Sequence, residues 1–146
     1  MPKTLGARAL SWDIFVQHLP SGVDSVSDIP EDYVPGPLGS RDSIIAAILS
    51  VAPGADFRDP SWGKLDGPGF SIEVSLGEHQ IVTGFTMHVR GGDLSVHVVQ
   101  EILQALDLRA LDPSSSTGIF DPGSASLDGL RRWREYRTRV LRKGGT

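Results

Sequence analysis

At 146 residues the chain has the length of one domain, and an apolar content of 39% is enough to fill one hydrophobic core, which excludes a wholly disordered chain. The absence of cysteine excludes disulfides, thiolate metal sites and a cysteine nucleophile, and suits a reducing compartment. The net charge of −4 hides a division: residues 1–130 carry seven Lys/Arg against seventeen Asp/Glu, net −10, whereas residues 131–146 carry seven basic residues and Glu135, net +6.

An acidic body repels nucleic acid through its phosphates and attracts cationic partners, while a basic tail does the reverse. The start, with Lys3 and Arg8 ahead of the short apolar stretch Trp12 to Val16, is too short for a signal-peptide core or a membrane span, so a cytoplasmic protein with a flexible lead-in over 1–10 is expected. Trp12-Asp13-Ile14-Phe15-Val16-Gln17 reads as a strand with Trp12, Ile14 and Val16 on one face. From Pro20 to Gly39 four prolines, three glycines and the acids Asp24, Asp28, Glu31 and Asp32 predict a long acidic loop.

Ser40 is placed to cap a helix whose Ile44, Ile45, Ile48, Leu49 and Ala52 share one side before Pro53-Gly54 ends it. Asp56 to Gly69 then reads as loop, with Gly67-Pro68-Gly69 a turn rather than a phosphate-binding loop, because no helix follows. Residues 70–76 and 85–90 both alternate strictly and predict a hairpin around Gly77-Glu78-His79-Gln80. Their apolar positions are even-numbered on one strand and odd-numbered on the other, so opposed residues sum to an odd number; a sum near 157 would set Ile72 against Phe85.

Asp93 is the expected cap of a second helix with the stripe Leu94, Val98, Val99, Ile102, Leu103 and Leu106. Two short strands are expected around the turn Asp112 to Ser116. Leu127, Leu130, Trp133, Tyr136 and Val140 then predict a basic terminal helix within a tail spanning 122–146, able to dock on the body, bind a partner chain or bind an anionic surface. The whole chain, with its body at 11–121, predicts a single α+β domain: a two-layer sandwich of a small antiparallel sheet, ferredoxin-like or a related split arrangement, with amphipathic helices on one face.

Chemistry is sparse. No nucleophile elbow, phosphate loop, dinucleotide fingerprint or zinc-protease helix is present, so neither a catalytic residue nor a cofactor is assigned. His88, Asp93 and His97 lie close in the chain but at no metal-ligand spacing, and no metal site is assigned. His18 and His79 read as loop or strand-end residues. Ser71, Glu73, Ser75, Thr86, His88 and Arg90 share the polar side of the hairpin, and Glu73, His88 and Arg90 form the alternative site, for a small-molecule sensor or enzyme. Tyr33 and Trp62 fall in predicted loops, where a large aromatic either covers the core or meets a partner.

The segments Trp12 to Gln17, Ile29-Pro30, Pro35-Gly36-Pro37-Leu38-Gly39, Asp59-Pro60-Ser61-Trp62-Gly63, Phe70-Ser71-Ile72-Glu73 and His88-Val89-Arg90-Gly91-Gly92 together resemble small uncharacterised bacterial proteins, a type to which some immunity proteins for toxins belong. The resemblance covers residues 12–121, leaves the tail uncovered and carries no catalytic residue over. It implies protein binding rather than catalysis. The −10 body then points to a cationic partner such as a basic toxin, met through Asp24, Asp28, Glu31, Asp32, Asp56, Asp59 and Asp66 with the loop aromatics Tyr33 and Trp62.

Overall fold

Alternation of apolar and polar residues builds the sheet of the computed structural model, which describes residues 11–122. The lead-in over 1–10 and the basic helix expected after 127 lie outside the described residues. Strand β1, Trp12–Val16, buries Trp12, Ile14 and Val16 and turns Asp13 and Phe15 to the opposite side. Within the long loop that follows, a short 3₁₀ turn spans Val26–Asp28, and the two-residue strand β2, Gly39–Ser40, leads into helix α1, Arg41–Val51. Ser40 caps α1 as expected, its Oγ accepting the Ser43 N–H at 3.1 Å, and Ile44 and Ile48 enter the core.

The segment expected to be loop over 56–69 contains a strand. β3, Trp62–Gly67, pairs along its length with β4, Phe70–Ser75, and Pro68-Gly69 closes the turn between them with Gly69 at φ +77°. β3 has alternation without the usual composition: Gly63 and Leu65 face the core, and the space above Gly63 is filled by the ring of Phe57, only 2.2 Å from where a Cβ would stand. An apolar group supplied from outside the strand leaves no mark within it.

β4 pairs antiparallel with β6, Phe85–Gly91, but in a different register from the expected one: Ile72 faces Val89, not Phe85, and opposed residues sum to 161. The parity holds, so the faces are those expected; the offset differs because the strands are not joined by a tight turn at 77–80. Their connection also contains β5, Ile81–Val82, which pairs with β2 and inserts Val82 into the core. Alternation determines which way a strand faces, whereas connector length and packing determine how far it slides.

Helix α2, Asp93–Leu106, begins at Gly92, and no side chain caps it; Asp93 lies inside the first turn, where a carboxylate favours the helix dipole. Its buried face is Ser95, Val96, Val99, Ile102 and Leu103, while Leu94 is 46% exposed at the open first turn. β7, Ala110–Leu111, and β8, Ile119–Phe120, are the two short strands expected on either side of Asp112 to Ser116.

The six-stranded antiparallel sheet runs β3-β4-β6-β1-β7-β8, with β2 and β5 a separate ribbon. Its central four strands, β4-β6-β1-β7, with α1 between β1 and β4 and α2 between β6 and β7 in the chain, follow the ferredoxin-like split arrangement; β3 and β8 extend it at either margin. The two helices pack together on one face, over Ile14, Ile72, Val74, Met87 and Val89, each stabilising the fold by about 1.5–3 kcal/mol through burial. Outside β3, Asp56 and Lys64 exchange two backbone hydrogen bonds (2.8 and 3.0 Å); beside β8, Val26 N–H donates to Thr117 O at 2.8 Å. No helix among the described residues is long and apolar enough to cross a membrane.

Candidate partner-binding surfaces

The long loop is tied to the sheet end at three points. The Arg109 guanidinium, just after α2, donates to Val23 O and, at 3.1 Å, to Pro20 O; Val26 bonds Thr117; and Tyr33 Oη donates to His18 O at 3.1 Å. These ties present Asp24, Asp28, Glu31 and Asp32 to solvent together, and among the described residues no cation forms an ion pair with any of them. Val26 (47% exposed) and Val34 (82% exposed) lie among the acids, so apolar and anionic surface alternate over eleven residues, 24 to 34. Tyr33 is half-buried and holds the loop down.

The remaining expected partner residues belong elsewhere. Asp56, Asp59, Trp62 and Asp66 sit on and before β3, at the opposite margin of the sheet from β8 and the loop, so the single expected set divides in two. Asp56 is bound by Arg58 (Nη2 to Oδ2, 2.7 Å), and these hydrogen bonds hold its carboxyl down at about 2. Asp59 accepts from Ser61 Oγ (2.7 Å) and Ser61 N–H (3.0 Å), which lowers its pKa from the usual carboxylate value. Trp62 is not a loop residue: it opens β3 and lies flat against His88, ring centroids 5.7 Å apart.

The alternative set does come together. On the sheet face opposite α1 and α2 Glu73 stands directly opposite His88, Arg90 Nη1 lies 3.5 Å from Glu73 Oε2, and Trp62 Nε1–H donates to Glu73 Oε1 at 3.1 Å. Asp13, missed in the sequence reading, completes the group by accepting from His88 Nδ1 at 2.9 Å. Its signal was present, since a residue between Trp12 and Ile14 must face away from them, but β1 was read for its apolar side alone. Ser11 Oγ donates to the same Asp13 oxygen at 2.7 Å, so hydroxyl and imidazole converge on one carboxylate instead of forming a nucleophile–base–carboxylate relay. The arrangement suits stacking and ion pairing better than proton transfer.

His88 and His97 do not converge with Asp93: His88 is on the sheet face opposite α1 and α2, while His97 is exposed on α2 in the helix layer. No group of three or more His, Asp or Glu side chains placed to hold a metal ion occurs among the described residues. Clefts lined by described residues, of about 460 Å³ between the β1–loop junction and the end of α2, about 270 Å³ beside Phe70 and Val98, and about 240 Å³ beside Asp13 and Phe15, do not include Glu73, His88 or Arg90 in their lining. No protein-family model, curated protein or solved structure matches the chain.

Proposed function

We propose that this is a non-catalytic protein-binding domain that meets a cationic partner through the loop 24–34, in the manner of an immunity protein neutralising a basic bacterial toxin in the cytoplasm. One observation carries the reading: Asp24, Asp28, Glu31 and Asp32 are exposed together on a loop tied back to the sheet, without a cation from the described residues, beside the exposed Val26 and Val34. Residues 11–122 carry five Lys/Arg and sixteen Asp/Glu, net −11, and the full chain remains net −4 with its basic 131–146 segment included, a charge of the sign that attracts a positive partner. An acidic surface that imitates a phosphate backbone is the chemistry that would occlude the cleft of a nuclease. The convergent bonding around Asp13 favours binding over catalysis at the sheet face as well.

The test is co-purification of the full chain with the product of its neighbouring gene, compared with the variant Asp24→Asn/Asp28→Asn/Glu31→Gln/Asp32→Asn. The expected outcome is association at least about ten-fold weaker in the variant and progressively weaker with salt in the parent. Association indifferent to both salt and the four substitutions would overturn the proposal.

A further inference from the structure

The face of the sheet opposite α1 and α2 is patterned in rows. Lys64, Glu73, His88 and Asp13 are directly opposed in turn across β3, β4, β6 and β1, which gives cation, anion, imidazole, anion. One pleat along, Trp62, Ser75, Thr86 and Phe15 stand in the same order, with an aromatic ring at each end and a hydroxyl at each inner place. On the other side of the charged row lie Asp66, Ser71 and Arg90. Phe15 is 38% exposed, and Leu111 is opposed to it on β7.

Both full rows are complementary to their own reversal. A two-fold axis parallel to the strands, passing between β4 and β6, would lay β3 of one copy over β1 of the other. It would set Lys64 against the second copy's Asp13, Glu73 against its His88, Trp62 against its Phe15, and Ser75 against its Thr86. In the third row Arg90 would meet the Ser71 hydroxyl, which is no conflict. A two-fold axis across the strands, centred on the charged row, would set Lys64 on Lys64 and Glu73 on Glu73, so like charges exclude it. Sheets packed face to face align their strands in this way, and an isologous interface requires such self-complementarity.

From this the geometry points to a second copy of the chain as the occupant of this face: a two-fold dimer through β3, β4, β6 and β1, with paired Trp62–Phe15 contacts and paired Lys64–Asp13 contacts. The face offers fewer side chains than the roughly 20–30 of a standard interface, which makes the dimer a reversible one. The acidic loop 24–34 is not one of the contacting elements, so the dimer does not depend on the partner-binding reading.

Sedimentation velocity of the full chain, from low to high micromolar concentration, tests this alongside three variants whose fold is checked by circular dichroism: Phe15→Glu, Lys64→Glu and Asp13→Lys. The parent is expected to dimerise, and each variant to dissociate at least about ten-fold more readily. Mixing Lys64→Glu with Asp13→Lys is expected to restore a dimer, because each Lys64–Asp13 contact then joins opposite charges again. Lys64 is exposed, so its reversal leaves the core untouched if the Asp13 change proves disruptive. A parent that stays monomeric throughout, whether because another part of the chain covers the face or because nothing does, overturns the proposal. So does a dimer indifferent to Lys64→Glu and Phe15→Glu, or a folded mixture that remains monomeric.

Discussion

Asp112 shows how one residue ties local to distant structure. Its carboxylate is 1% exposed and its Oδ1 accepts from Trp12 Nε1 (3.0 Å), Ser114 N–H (3.0 Å) and Ser114 Oγ (2.6 Å), joining the β7–β8 turn to the first strand. Replacing it with Ala takes the acceptor from the buried Trp12 Nε1–H, and Asp112→Ala is expected to cost about 1–3 kcal/mol in urea unfolding, with Asp112→Asn milder because it keeps an acceptor. Asp56 makes the complementary case at the surface. Its folded pKa, about 2, lies below the ordinary 3.8, so its contribution to stability is complete above the ordinary value and disappears as pH falls through about 2. A carboxyl NMR titration should place its midpoint near 2 in the parent and return it toward 3.8 in Arg58→Ala. A midpoint unmoved by that substitution would disprove the assignment of the shift to Arg58.

At the scale of elements, Gly91 ends β6 at φ +136° against Phe70, and a Cβ there would stand 2.5 Å from the Gly69 carbonyl oxygen. Gly91→Ala therefore combines a left-handed backbone with a clash that β4 cannot relieve, and should destabilise the fold by at least about 1–3 kcal/mol in thermal or denaturant melts. A neutral Gly91→Ala would contradict the observed register at that end of the hairpin. The elements read well from the sequence were those whose own side chains carry the pattern: β1, α1 with its Ser40 cap, β4 and β6. Those that escaped depend on groups outside the element itself. β3 borrows Phe57, β5 exists by pairing with β2, and the β4–β6 offset follows from a connector that had looked like a simple turn.

For the molecule as a whole, the α+β class and the placing of α1 and α2 on one face followed from element order, because a split βαβ arrangement leaves few ways to cover one face of the sheet. The site was legible only in part. Prolines and glycines announced that Asp24, Asp28, Glu31 and Asp32 would be exposed on a loop, and alternation put Glu73, His88 and Arg90 on one side of a hairpin. That the Asp56 group would lie at the far margin from the Asp24 group was not readable, since it depends on which strands become neighbours. One consequence concerns the behaviour of the chain in a crowded cell. The backbone bonds between Asp56 and Lys64 occupy a donor and an acceptor that β3, at one margin of the sheet, would otherwise offer to a stranger. Lateral recruitment of another chain at that margin then first requires stripping the Asp56 segment away, which blunts β3 as a template for further strands.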